Sequence, residues 1–241
     1  MPRIVLQAGH IRAKFNSIPE LRKSTGAPGE QELTQRITDR TTYNLRQRGF
    51  GVKQTDSCAN SDKDIIAPHD WDLFLAIHGE ADMIGQGGTI ATADPSIDSA
   101  AAESFRIKEA IRSEYFKHSE IDDKNYSSAN IGYYYMWKVL SAKTPCVLIE
   151  LGQVQDAHDK VLLADTDRIA NALTRGICKA FHVTYEPLES SPPAPEPPKP
   201  PEVAIGVAET NPSEAISEKA EVLVDNICDN LRKLIRLLFP A

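Results

Sequence analysis

Arg3-Ile-Val-Leu-Gln-Ala-Gly-His10 is an apolar run that stops at a glycine and a histidine. Ile4, Val5 and Leu6 mark a core strand over residues 3–8. The run is too short, and joins Gly9-His10 too directly, to read as a secretory signal. The same arrangement recurs downstream. Asp72-Leu-Phe-Leu-Ala-Ile-His78 closes an apolar run on a second imidazole, and Pro145-Cys-Val-Leu-Ile-Glu150 closes one on a carboxylate. Glu30 opens a helical pattern just after the turn-forming Gly26-Ala-Pro-Gly29. In an open α/β sheet, ligand and catalytic groups collect at the carboxyl ends of strands. His10, Glu30, His78 and Glu150 each fall where a strand or a capped helix would end. Two imidazoles and a carboxylate suit a catalytic zinc with one position left for water, and a further carboxylate handles protons. The pattern is that of a zinc hydrolase.

Outward from this frame, strands are expected at 3–8, 51–55, 72–77, 88–92 and 145–150. Helices are expected at 30–48, 97–117 and 157–182. Apolar runs alternating with helical periodicity predict an α/β domain over 1–185, an open, mostly parallel sheet flanked by helices. Leu33, Ile37 and Leu45 share a face of the first helix, and Gly49 supplies its stop. Val161, Leu162, Ile169, Leu173, Ile177 and Phe181 keep helical spacing in the last.

The four polar residues also have plain structural readings. A carboxylate at residue 30 favours a helix N-terminus whatever else it does, and Glu32 competes with it as a ligand. Glu150 at the lip of a core strand serves either as a base with a raised pKa or as the partner of a nearby arginine. Tyr133-Tyr-Tyr-Met-Trp137 reads as core before it reads as a groove wall. His69 reads as a loop residue.

Composition bounds the rest. The chain has 241 residues, of which 41% are hydrophobic, and no apolar run approaches the length of a membrane span. Cys58, Cys146, Cys178 and Cys228 lack Cys-x-x-Cys spacing and are expected to stay reduced in a cytoplasmic product. Ten acidic and five basic residues after Tyr185 account for −5 of the net charge of −7, so residues 1–185 are nearly neutral. That balance excludes electrostatic attraction to nucleic acid. Ser190-Ser-Pro-Pro-Ala-Pro-Glu-Pro-Pro-Lys-Pro-Pro201 cannot build a core, and a Pro-rich flexible linker is expected over 186–212. Over 213–241, Val224, Ile227, Leu231, Leu234 and Leu238 alternate spacings of three and four. They predict an amphipathic helix for docking, self-association or contact with a wall or membrane surface.

Taken together, four ordered segments between residue 3 and about 182 resemble the zinc-dependent N-acetylmuramoyl-L-alanine amidases of the Amidase_3 type. Ile4-Val-Leu-Gln-Ala-Gly-His10 is similar to that family's opening strand and Gly-His motif. Gly29-Glu30-Gln-Glu-Leu33 through Gly49 resembles its segment in which a ligand Glu opens a helix ending at Gly, and this register favours Glu30 over Glu32. Asp72–His78 is similar to its Ser-Ile-His segment, and Thr144-Pro-Cys-Val-Leu-Ile-Glu-Leu-Gly152 to its Pro-x-Val-Leu-x-Glu-x-Gly segment. Three stretches depart from the pattern: Ile11-Arg12 replaces a Gly pair, Gly79-Glu80 an Ala-Asn, and Gln153-Val-Gln-Asp156 a Phe-x-Ser-Asn type stretch.

The resemblance implies that His10, Glu30 and His78 hold Zn2+ and that Glu150 is the catalytic base. The bond cut would join N-acetylmuramic acid to L-alanine in peptidoglycan. A phage endolysin is expected, cytoplasmic as synthesised and acting on the bacterial wall after release. The other readings are a bacterial cell-wall hydrolase of the autolysin kind, a zinc peptidase of the stem peptide and a non-catalytic peptidoglycan-binding module.

Overall fold

Apolar residues in unbroken runs, rather than in alternation, bury a strand on both faces. The computed structural model bears this out for the core of the chain. It describes residues 1–10, 26–55, 71–80, 85–93, 100–124 and 144–188. The Pro-rich stretch from 189 onward, the 213–241 helix, the Tyr133–Trp137 run, His69, Ile11-Arg12, Cys58 and Cys228 lie outside the described residues. Among the described residues no helix is long and apolar enough to cross a membrane.

Five strands, β1 (Arg3–Ala8), β2 (Gly51–Thr55), β3 (Leu73–Glu80), β4 (Thr89–Thr92) and β5 (Cys146–Gln153), form one sheet in the order β2-β1-β3-β5-β4. All pairings are parallel except that of β4 with β5. The helices are α1 (Glu30–Arg46), α2 (Ala101–Ser119), α3 (Ala157–Ala164) and α4 (Thr166–Ala180). Ile4 and Leu6 of β1, Leu73, Leu75 and Ile77 of β3, and Val147, Ile149 and Leu151 of β5 share one core with the apolar stripes of α1, α2 and α4. Residues between them, such as Val5, Phe74 and Ala76, are buried as well. An open, mostly parallel sheet flanked by helices is thus the observed architecture.

α1 ends as its sequence requires. Gly49 takes a φ of 80° after the last turn, and the Phe50 N–H returns to the Leu45 carbonyl at 3.1 Å. Packing of α2 on α4 depends on Gly176, where a Cβ would lie 2.6 Å from Ile111 Cα. The Tyr115 hydroxyl of α2 donates to the Leu151 carbonyl at 2.6 Å and so ties that layer to β5.

Several boundaries differ from the sequence reading, three of them in ways that bear on the fold or the site. The expected helix over 157–182 is two helices, because Asp165 leaves helical geometry (φ −80°, ψ 82°) and caps α4 by accepting from the Arg168 N–H. β3 continues to Glu80, past a register shift between His78 and Glu80, and β5 continues to Gln153. His78 and Glu150 therefore lie inside their strands rather than at the ends. Buried Leu151 gives β5 a reason to continue.

Candidate active site

Parallel pairing brings the carboxyl ends of β1, β3 and β5 to one edge, and the residues of interest follow from register. The Gly9 N–H donates to the Ile77 carbonyl at 2.9 Å, which places His10 just beyond the end of β1 and beside His78. A Cβ on Gly9 would come within 2.6 Å of His78 Nδ1, so glycine is needed for this approach. His78 is paired with Glu150, and Glu150 with Thr89. Because strand side chains alternate with a period of two, His78 and Glu150 project from the same side of the sheet.

The third contribution comes from the first turn of α1. Gly29 precedes it in a left-handed conformation (φ 86°) with no capping side chain. Glu30 itself accepts from nearby amides: its Oε2 from the Ala27 N–H at 2.8 Å, and its Oε1 from the buried Gly79 N–H at 3.1 Å. Oε1 also stands 3.4 Å from His10 Nε2 and 3.4 Å from His78 Nδ1. The two imidazole rings are nearly perpendicular, with centroids 4.9 Å apart. Glu30 is 3% exposed and His10 19%. Burial by itself would raise the Glu30 carboxyl. The hydrogen bond and charge of His78, the charge of His10 and the Ala27 N–H outweigh burial and hold it below the usual carboxylate range.

These donors fit a metal ion. Ligand atoms of His10, Glu30 and His78 all lie within 4.8 Å of one another. A tetrahedral centre with bonds of ~2.0–2.2 Å separates neighbouring donors by roughly 3.4 Å, the separation seen from Glu30 to both imidazoles. Glu32, the competing carboxylate, is exposed.

Glu80 ends β3 and is half-buried, with its carbonyl accepting from the Val154 N–H at 2.8 Å. His118 pairs with Glu114 at 3.3 Å. His158 lies with Asp156 and Asp159 in a second group of donors, which is occupied structurally. Asp156 caps α3 by accepting from the His158 and Asp159 N–H groups. Fully buried Asp159 accepts from the Gly87 N–H at 2.6 Å and the Gln153 N–H at 2.8 Å. Sequence reasoning passed over Asp159. The Asp156-x-x-Asp159 spacing, close to a capping box, was its available signal.

Residues 4–180 match the family model described as N-acetylmuramoyl-L-alanine amidase, Amidase_3. No curated protein sequence matches the chain. Among solved structures, the fold is similar to an N-acetylmuramyl-L-alanine amidase from Mycobacterium smegmatis (TM-score 0.60, 19% identity, 75% of this chain and 97% of that one). It is also similar to the catalytic domain of the amidase CwlV from Bacillus (Paenibacillus) polymyxa (TM-score 0.58, 17% identity, 76% and 100%). The catalytic domain of an endolysin targeting Clostridia difficile matches as well (TM-score 0.52, 16% identity, 77% and 100%). At these identities the structures speak to fold, and the family match speaks to lineage over most of the chain. By residues 4–180, this chain belongs to the N-acetylmuramoyl-L-alanine amidase family, Amidase_3.

Proposed function

We propose that the chain is a zinc-dependent amidase that cuts the bond between N-acetylmuramic acid and L-alanine in peptidoglycan, acting as a phage endolysin. The observation that carries the zinc reading is the approach of His10 Nε2 and of His78 Nδ1 to Glu30 Oε1, each at 3.4 Å. These three side chains would hold the ion. When bound, zinc supplies a Lewis acid that polarises the amide carbonyl and lowers the pKa of a water toward ~7.

The remaining work belongs to the chain. Glu30, gripped by two backbone N–H groups, stays ionised and keeps both imidazoles oriented. Glu150, in register with His78, takes a proton from the attacking water and delivers it to the departing amine of L-alanine. The Asp159 carboxylate, through the Gly87 and Gln153 amides, ties the chain before β4 to the end of β5, beyond Glu150. The endolysin role is supported by likeness to an endolysin catalytic domain and by the expectations drawn from the sequence.

Mass spectrometry of products from purified peptidoglycan, with and without a zinc chelator, tests the reading. Free stem peptides with an L-alanine amino terminus, released only in the presence of zinc, are the expected result. Cuts within the peptide would make the chain a peptidase. Bound metal without any product would make it a peptidoglycan-binding module.

A further inference from the structure

His10 has a φ of 61°. For a residue other than glycine this left-handed conformation costs free energy, and it persists where the surroundings over-determine it. Three hydrogen bonds do so here. The Gly9 N–H donates to the Ile77 carbonyl at 2.9 Å. The Thr34 hydroxyl donates to the Gly9 carbonyl at 3.0 Å, and the Gln31 side-chain amide donates to the His10 carbonyl at 3.0 Å. Gln31 and Thr34 are three apart on α1, so they share a helix face one turn deep. Thr34 is fully buried, and its one alternative acceptor is the local Gln31 carbonyl at 3.2 Å.

We infer that Gln31 and Thr34 are positioning residues that hold the His10 backbone in its ligating pose, from the same helical turn that supplies Glu30. One rigid turn thereby sets a carboxylate donor directly and an imidazole donor through its main chain. The distance between His10 Nε2 and Glu30 Oε1 follows from helix geometry rather than from loop conformation. The inference rests on the metal reading of the cluster, and it concerns residues outside the His10, Glu30 and His78 donor set.

The test uses the full chain, stripped of metal and titrated with Zn2+ against a competing chelator, with Co2+ absorption as a report of ligand geometry. Thr34→Val keeps the shape and removes the hydroxyl; Thr34→Ser restores it. Gln31→Met removes the second donor at a half-exposed position where folding is little affected. Thr34→Val and Gln31→Met are each expected to weaken Zn2+ binding about tenfold or more and to alter the cobalt spectrum. Thr34→Ser should bind as the parent does. Thermal melting of the metal-free variants separates this from loss of fold; if Thr34→Val does not fold, Gln31→Met decides. Folded variants with parental Zn2+ affinity and an unchanged cobalt spectrum overturn the positioning role. A parent chain that takes no Zn2+ overturns the metal reading itself.

Discussion

At Glu150 a half-buried carboxylate stands between Ile149 and Leu151, both fully buried. Acids are poor strand residues, and under the proposed function its register with His78 gives it a chemical use. Glu150→Gln keeps the volume and removes the base. The variant should retain bound zinc, measured by metal analysis, while turnover falls by roughly 10²–10⁴-fold. Full activity in that variant would take Glu150 out of the mechanism. The residues of this site were legible because titratable side chains following apolar runs are conspicuous. Spacing did not choose between Glu30 and Glu32; in the structure Glu30 is buried beside both imidazoles and accepts from the amides of Ala27 and Gly79, whereas Glu32 is exposed. Thr34 and Gln31 gave no signal, because an uncharged residue on a helix reveals its long-range acceptor only in three dimensions.

At the scale of elements, α2 and α4 meet at Gly176 and are joined at the surface by Lys179, whose ammonium lies 2.8 Å from the Glu114 carboxylate. That hydrogen bond and the neighbouring positive charges of Lys179, His118 and Lys117 outweigh burial and lower the Glu114 pKa. A carboxylate whose folded pKa is depressed adds stability above its unfolded value of ~4.3, and that stability is lost as pH falls through the folded value. The pair is partly exposed, so its worth is small. Glu114→Gln should cost less than about 1 kcal/mol at neutral pH, and the difference from the parent should vanish in acid. Urea denaturation at the two pH values checks this; an equal difference at both would assign the effect to packing instead. The helices themselves were largely readable from periodicity. The break at Asp165 was not, because an Asp inside a strong apolar stripe looks like one more exposed position until its side chain is seen capping the next helix.

Over the whole molecule, the sequence announced an α/β layer but not its wiring. A short apolar strand carries no mark of its neighbour or of its direction, so the insertion of β5 between β3 and β4, and the reversed direction of β4, emerge only from the pairing. Near the last of the described residues the chain is well anchored. Arg48 and Arg175 stack on the Tyr185 ring at 4.5 and 4.0 Å, and Arg48 also donates to the Glu186 carbonyl. These contacts secure the chain near residue 186. Deleting 190–241 should therefore leave kcat/KM on soluble peptidoglycan fragments unchanged, while altering solution size or activity on intact walls. Loss of hydrolysis on the fragments would show that the tail belongs to the catalytic unit.

The place of β5 has a bearing on when the protein becomes active. A ribosome delivers β1, β2, β3 and β4 first, yet β3 and β4 do not pair with each other; both wait for the strand that goes between them. That strand also brings Glu150. A nascent or prematurely ended chain that stops before Cys146 thus has an unfinished sheet and lacks Glu150. Under the proposed function, abortive translation products are harmless to the wall of the cell that makes them, and competence arrives only when synthesis has passed residue 153.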